Sequence, residues 1–462
     1  MDGRKNVSDR DLARRDFLRL AAGGATLLAT GAGCKSGSDT AKSKAATDTT
    51  AGGNAKRTLR IAQWTHYISG YDQWWDEVYT KGWGDRNDVE VTVDHFDINQ
   101  ASAHAETEVA SQQGHDLFHF NLNSPVSFED HVIDHREIVE EVEARVGKLT
   151  PFIRRSVYNP KTNKYFGFSH FWTPNPTQYR TDLWGALGSQ PDTWEDVLMT
   201  GRRLKAQGHP IGIGMSADQE SSVTLLGMMH SFGAAVQDGD AKVVINSPAT
   251  VEAVKFGAEL FRSAMPEEVL GWDITSNNRY LISGRGSMIV NSIAAIRALE
   301  DQDPALAAKI ELLPFPKGPA GTASPYVVSI YVIWKFAQNQ DLAKQFLVDL
   351  AATYRDPLLQ SQFLQMPSYP NAVPDLADRV ANDEKAQPSD KYRFMFDAAA
   401  WSTNVGHPGH TNAAIDEVVR AAIVPQMFAA ASRGELSAEE AVKAAEAKIR
   451  PIYDKWREQG KI

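Results

Sequence analysis

Thr58-Leu-Arg-Ile-Ala-Gln63, Val89-Glu-Val-Thr-Val-Asp-His-Phe96 and Asp116-Leu-Phe-His-Phe120 are three short apolar-rich runs that open the folded part of this chain. The second alternates cleanly, with Val89, Val91, Val93 and His95 on one face, which is the period of a half-buried strand. Between the first two lies an aromatic stretch, Tyr71 to Trp83, of helical character, and a polar segment precedes the third. Strand, helix, strand, helix, strand implies parallel pairing, because a strand that returns in the same direction needs a crossover.

The same alternation continues outward from this stretch. Thr193-Trp-Glu-Asp196 reads as a capping box, in which the Thr hydroxyl and the Asp carboxylate satisfy free N–H groups at a helix start. Trp194, Val197, Leu198, Gly201 and Leu204 then share one face, and Gly208 ends the helix. His209 to Ile213 returns as a strand. Val251, Val254, Ala258 and Phe261 mark a helix after Pro248, Ser283 to Val290 a turn into a strand, Lys309 to Pro314 a strand, and Asp341 to Thr353 a helix. Ser437 to Glu440 is a second capping box, and Pro451 is expected to kink or split the final helix. The body is α/β throughout, without internal repeats, and is long enough to divide into two lobes.

Composition removes several classes of function. The 462 residues are 42% hydrophobic, so real cores are available, and 48 Lys+Arg against 58 Asp+Glu give a net charge of −10. An acidic chain lacks the basic face that nucleic acid requires. A single cysteine forbids internal disulfides and Cys-rich metal sites.

Residues 1–34 hold six basic and four acidic side chains, a basic segment ahead of an acidic body. Arg14-Arg15-Asp16-Phe17-Leu18-Arg19, a weakly apolar run from Leu20 to Ala32, and Gly33-Cys34 follow the order of an export signal too short to span a membrane. The paired arginines resemble a twin-arginine signal. Gly31-Ala32-Gly33-Cys34 resembles a lipobox, with Gly31 where Leu or Val is usual; it implies lipid on Cys34, the alternative being ordinary cleavage that discards the cysteine. Residues 35–57 are small and polar and form a flexible tether.

Catalytic signatures are absent: there is no P-loop, H-E-x-x-H or G-x-S-x-G. Gly212-Ile-Gly-Met-Ser-Ala217 fits a relaxed dinucleotide pattern but lacks the acidic residue expected about 20 positions later. The His115/His119 and His407/His410 spacings are read as ordinary polar residues rather than metal ligands, and no cofactor is implied. A carboxylate pair for glycoside hydrolysis stays open, since sequence does not fix the separation of two acids.

Several segments resemble, in order, the family 1 extracellular solute-binding proteins, the substrate-capturing subunits of ABC importers. They include Ile61-Ala-Gln-Trp64, Tyr165-Phe-Gly-Phe168, Gln178-Tyr-Arg-Thr-Asp-Leu183, Gln190-Pro-Asp-Thr-Trp-Glu-Asp196, Gly286-Ser-Met-Ile-Val-Asn291, Leu313-Pro-Phe-Pro-Lys-Gly-Pro319 and Ala343-Lys-Gln-Phe-Leu347. The resemblance implies two α/β lobes of the type II periplasmic-binding-protein-like fold, joined by three crossovers near 172–176, 288–292 and 351–356. Lobe one would comprise 58–173 and 290–352, and lobe two 174–289 and 353–462. It also implies a non-catalytic, monomeric protein outside the cytoplasmic membrane, held there by its N-terminal lipid, that delivers a carbohydrate to ABC permease subunits.

A sugar demands flat aromatic faces for its C–H surfaces and planar polar groups for its hydroxyls. Trp64, Trp172, Trp272 and Trp401 stand at strand or loop ends and are candidates for the first role, each with a packing role as the alternative; the resemblance singles out Trp401. Polar candidates at the carboxyl ends of strands are His66, Asp97, Asn99, Asn121, Asn123, Ser216, Asp218 and Asn291, with helix caps as the alternative. Asn291 matches the family's Met-x-x-Asn strand end. Tyr326 stands where the family commonly has a glycine-rich turn, which Val327-Val-Ser-Ile-Tyr331 lacks. Trp64-Thr-His-Tyr-Ile68 also looks like polyamine-binding relatives, in which Asp97 and Asp218 would meet ammonium groups.

Overall fold

The computed structural model describes residues 56–122 and 124–462. The expected signal 1–34 with Cys34, nearly all of the 35–57 tether and Asn123 lie outside the described residues. Ten strands form two sheets: β1 (Arg57–Trp64), β2 (Val89–Phe96), β3 (Leu117–Asn121), β4 (Phe171–Thr173), β5 (Thr177–Arg180), β6 (Ile211–Gly212), β7 (Met288–Val290), β8 (Ile310–Leu313), β9 (Val327–Ile333) and β10 (Met366–Pro367). The larger sheet has the order β10-β4-β9-β3-β1-β2, the smaller β8-β5-β7-β6.

β1 pairs in parallel with both β2 and β3, so that Ile61 faces Val93 on one side and Leu117 on the other. Leu59 and Ile61 are wholly buried there. The aromatic stretch is helical from Tyr71 to Asn87, with a π-helical turn at Trp75–Thr80. Its rings pack on the helix Gln340–Ala352: Trp83 meets Phe346 edge-on at 5.2 Å and donates its Nε1–H to Asp349 at 2.9 Å. A buried aromatic of this kind contributes about 3 to 5 kcal/mol by comparison with alanine.

Both expected capping boxes form, at Thr193/Asp196 and Ser437/Glu440. Pro451, however, does not split its helix, which runs unbroken from Ala438 to Glu458. Pro451 and Ala447 both lie on the exposed face, so the carbonyl that loses its helical partner can bond water instead.

The chain passes between the sheets at 174–176, between β4 and β5, and again at 314–326, between β8 and β9. The third passage lies between Met366–Pro367, which pairs with β4, and Lys391, whose Nζ donates to Ala307 O beside the smaller sheet. The expected passages near 288–292 and 351–356 are displaced for one reason each. Ile310–Leu313 pairs antiparallel with Thr177–Arg180, which keeps 290–313 on the smaller sheet. The β10 pairing in turn keeps 353–367 on the larger one. Arg297 holds the third passage in place: buried over the Tyr392 ring, it bonds Gln362 O, Glu300 and Asp383. Removing one partner of such a buried pair costs about 3 to 5 kcal/mol.

Candidate functional site

The carboxyl ends of β1 and β3, together with β4 and the start of β9, form one wall of a cleft of about 700 Å³, a volume that includes the mouth open to solvent. The opposite wall comes from the residues after β7, the helix Ser276–Ile282 and the first turns of the helix Gln219–Ser231. Placement at strand ends follows from the parallel core of the sheet, where loops gather at one edge.

The lining combines aromatic and aliphatic faces, among them Trp64, Tyr67 and Phe171, with amides at Asn121, Asn175, Gln219, Asn278, Asn291 and Gln365. Among the described residues lining it, Glu220 is the one carboxylate. Burial pushes the Glu220 carboxyl up to about 8, opposed by the Thr224 hydroxyl at 2.9 Å and reinforced by the Asp218 charge. A carboxyl that keeps its proton at neutral pH can donate a hydrogen bond as well as accept one. Trp64 Nε1 and Asn175 Oδ1 are buried without a hydrogen-bond partner among the described residues. The two walls touch directly where Gln219 Nε2 donates to Asn121 Oδ1 at 3.1 Å.

Of the residues expected from sequence, Trp64, Asn121 and Asn291 line this cleft. Asn291 commits both amide N–H groups to neighbours, Asn277 at 2.9 Å and Asn278 at 3.0 Å, so its place is to position Asn278. His66 stacks beneath Trp64 at 5.4 Å, accepts from Ile68 N, and has its pKa lowered by burial to about 3. Asn99 and Asp218 border an adjoining groove that shares Asn121 and Gln219 with the cleft. Asp218 caps the helix Gln219–Ser231, accepting from Glu220 N and Ser221 N, and receives the Ser216 and Ser221 hydroxyls on its other oxygen. Asp97 likewise caps a short turn through Asn99 N.

The remaining expectations fall elsewhere. Trp172 packs edge-on against Phe152 and Tyr326, and the Tyr326 hydroxyl is buried, donating to Phe152 O at 2.7 Å. Trp272 packs on Tyr280, and its carbonyl accepts from Ser216. Trp401 lines a different cavity, with His230 at the far end of the Gln219–Ser231 helix. Sequence reasoning missed Tyr67, Phe171, Asn175, Gln219, Glu220 and Gln365. The signal for two of them was at hand, since Gln219 and Glu220 follow directly on the cap Asp218. Among the described residues no group of three or more His, Cys, Asp or Glu could hold a metal ion, and no helix is long and apolar enough to cross a membrane.

Two α/β sheets linked by crossovers, with a cleft between them lined by amides and rings, define a protein built to enclose a small solute. The family profile described as bacterial extracellular solute-binding protein matches residues 68–351, more than half of the chain, and the chain belongs to that family. No curated protein matches the sequence significantly. Among solved structures, an ABC transporter solute-binding protein from Thermotoga lettingae bound with α-D-tagatose aligns with a TM-score of 0.70 at 16% identity, covering 86% of this chain and 100% of the other. A sugar transporter protein from Arthrobacter chlorophenolicus with bound laminaribiose aligns with a TM-score of 0.73 at 15% identity, over 85% and 99%. A solute-binding protein from Agrobacterium radiobacter in complex with ribitol gives 0.69 at 15% identity, over 86% and 98%. These likenesses establish the two-lobed periplasmic-binding-protein fold.

Proposed function

We propose that this protein captures a neutral carbohydrate or polyol in the cleft and delivers it to an ABC importer without chemical turnover. The observation that carries the reading is the lining: aromatic faces beside Asn and Gln amides, with one carboxyl group among the described lining residues, Glu220, whose burial favours the protonated form. Amides meet sugar hydroxyls as donor and acceptor at once, and rings cover C–H faces. A polyamine would need ionised carboxylates, yet Asp97 and Asp218 are engaged as helix caps. A hydrolase would need two carboxyl groups flanking the bond to be cleaved.

Thermal-shift titration against monosaccharides, oligosaccharides, sugar alcohols and spermidine tests the reading, because a ligand of the native state raises the midpoint. A sugar or sugar alcohol should raise it and release no reducing ends on incubation. A response to spermidine alone would replace the carbohydrate reading with the polyamine one, and turnover would replace it with hydrolysis. The reading extends to the N-terminus: export by the twin-arginine signal and a lipid on Cys34 hold a monomer at the outer face of the cytoplasmic membrane. Cys34→Ala should then move the protein from the membrane fraction to the soluble one; retention in the membrane would remove the anchor.

A further inference from the structure

The helix Gln219–Ser231 has the cleft at its N-terminal end and a second cavity at its other end, about 18 Å away by the rise of 13 helical residues. This cavity, about 850 Å³ including the space open to solvent, lies among segments that join the sheets. Ala320, Thr322 and Ala323 belong to the 314–326 passage, and Ser402–Thr403 pairs with Ser324–Pro325 of the same passage. Phe152 and Arg155, from the helix Pro151–Val157, close it from the other side.

Its chemistry is opposite to that of the cleft. Among the described lining residues there is no carboxylate, while Arg155, His230, His407 and Trp401 all face it. Trp401 is 7% exposed and His230 5% exposed, and Trp401 Nε1 and His230 Nε2 both lack a hydrogen-bond partner, as does Ser402 Oγ. An indole N–H can only donate. His230 Nδ1 is 3.1 Å from Thr403 Oγ1; when that hydroxyl donates, Nε2 carries the ring proton and is a second donor. Arg155 is exposed at the rim and enters no ion pair among the described residues. The helix carbonyls that would repel an anion here are already taken, those of Met228, Met229 and His230 by the N–H groups of Phe232, Gly233 and Ala234. Buried donors without acceptors cost stability until an acceptor arrives.

We propose that this cavity is a second binding site, separate from the carbohydrate cleft, for a small molecule bearing an oxyanion, a carboxylate or a phosphate. Trp401 Nε1 and His230 Nε2 hydrogen-bond the anion, and Arg155 closes over it as its counter-charge.

The test is calorimetric titration of the full-length protein with inorganic phosphate and, separately, with acetate, each with and without a saturating cleft sugar. At least one anion should bind saturably, unaffected by competition from the sugar, and which of the two binds identifies the source of the oxyanion. Arg155→Ala, a change at an exposed position, and Trp401→Phe, which keeps an aromatic side chain and removes the donor, should each weaken that binding at least tenfold while leaving sugar affinity unchanged. Absence of saturable binding by both anions, equal binding in Arg155→Ala, or displacement of the anion by the sugar would overturn the proposal. Sugar binding measured in the same samples reports on the cleft independently, so failure here leaves the carbohydrate reading to its own test.

Discussion

Glu220 and His230 sit on one helix, ten positions apart, one in the wall of the cleft and the other in the wall of the second cavity. Burial makes both neutral at pH 7 by opposite routes: it raises the Glu220 carboxyl to about 8 and lowers the His230 ring to about 3, the latter helped by the nearby His407. One end of the helix therefore retains a proton that water would remove, and the other refuses a proton that a solvated ring would take up below pH 6.5. Each end is tuned to an uncharged wall, and the difference lies in what remains: amides and rings at the cleft, unpaired donors beside an arginine at the far end. The two ends also predict opposite pH dependences. The native state holds the Glu220 proton that the unfolded chain releases above 4.5, so stability falls as pH rises from there through about 8. For His230 the unfolded chain gains a proton below 6.5 that the native state resists, so stability falls as pH drops from 6.5 toward 3. Glu220→Gln should remove the first loss, gaining several kcal/mol over the wild type at pH 8 but little at pH 4.5. Urea titrations across pH 4.5 to 9 measure it, and parallel curves for the two proteins would mean that Glu220 is ionised and solvated in the native state. The acid limb is a weaker discriminator, because His66, His135 and His170 share the same depression by burial.

The two cavities each hold one tryptophan with an unpartnered indole nitrogen, Trp64 in the cleft and Trp401 in the other. Alanine substitution at each position separates their roles. Trp64→Ala should weaken carbohydrate binding about a hundredfold, the loss of a ~3 kcal/mol aromatic anchor, with Trp401→Ala within about threefold of the wild type. Calorimetric affinities decide it. The reverse pattern would make the far cavity the sugar site and the cleft the accessory one.

Sequence made the framework legible and the site only partly so, for physical reasons. β1, β2 and β3 were readable because alternation, flanking polar residues and length agree, and the capping boxes at Thr193 and Ser437 because they are local chemistry. The passages between sheets were not readable, since Ile310–Leu313 and Met366–Pro367 are too short to declare a partner, and only pairing with Thr177–Arg180 and Phe171–Thr173 assigns them. Among site residues, Trp64 and Asn121 follow from the rule that strand ends carry ligands. Asp97 and Asp218 satisfy the same rule as helix caps, a choice that depends on a backbone geometry two or three residues ahead. Trp172, Trp272 and Tyr326 stand at element ends too, but their neighbours in space, Phe152, Tyr280 and Ser156, come from distant or differently packed segments. Gln365 reaches the cleft from nearly 300 positions beyond His66, the ring that its side-chain amide meets at 2.8 Å.

The smallest expected effect concerns a direct contact between the walls, Gln219 Nε2 to Asn121 Oδ1. It is part-buried and neutral, so its net worth is about 1 kcal/mol. Unlike the Glu220 proton, it bridges the two walls, so separation of the walls would break it. Gln219→Ala should therefore leave global stability nearly unchanged and shift the ligand-free equilibrium about fivefold toward the open form, the factor that ~1 kcal/mol supplies. Small-angle scattering of the ligand-free protein should show a larger radius of gyration. Sugar affinity should drop by no more than the same factor, because the ligand must restore the closed population itself. An unchanged radius with unchanged affinity would mean that the bond is replaced by water without consequence, leaving closure to the crossovers and to the Asn175 side chain that ties the first of them to Pro325 in the second.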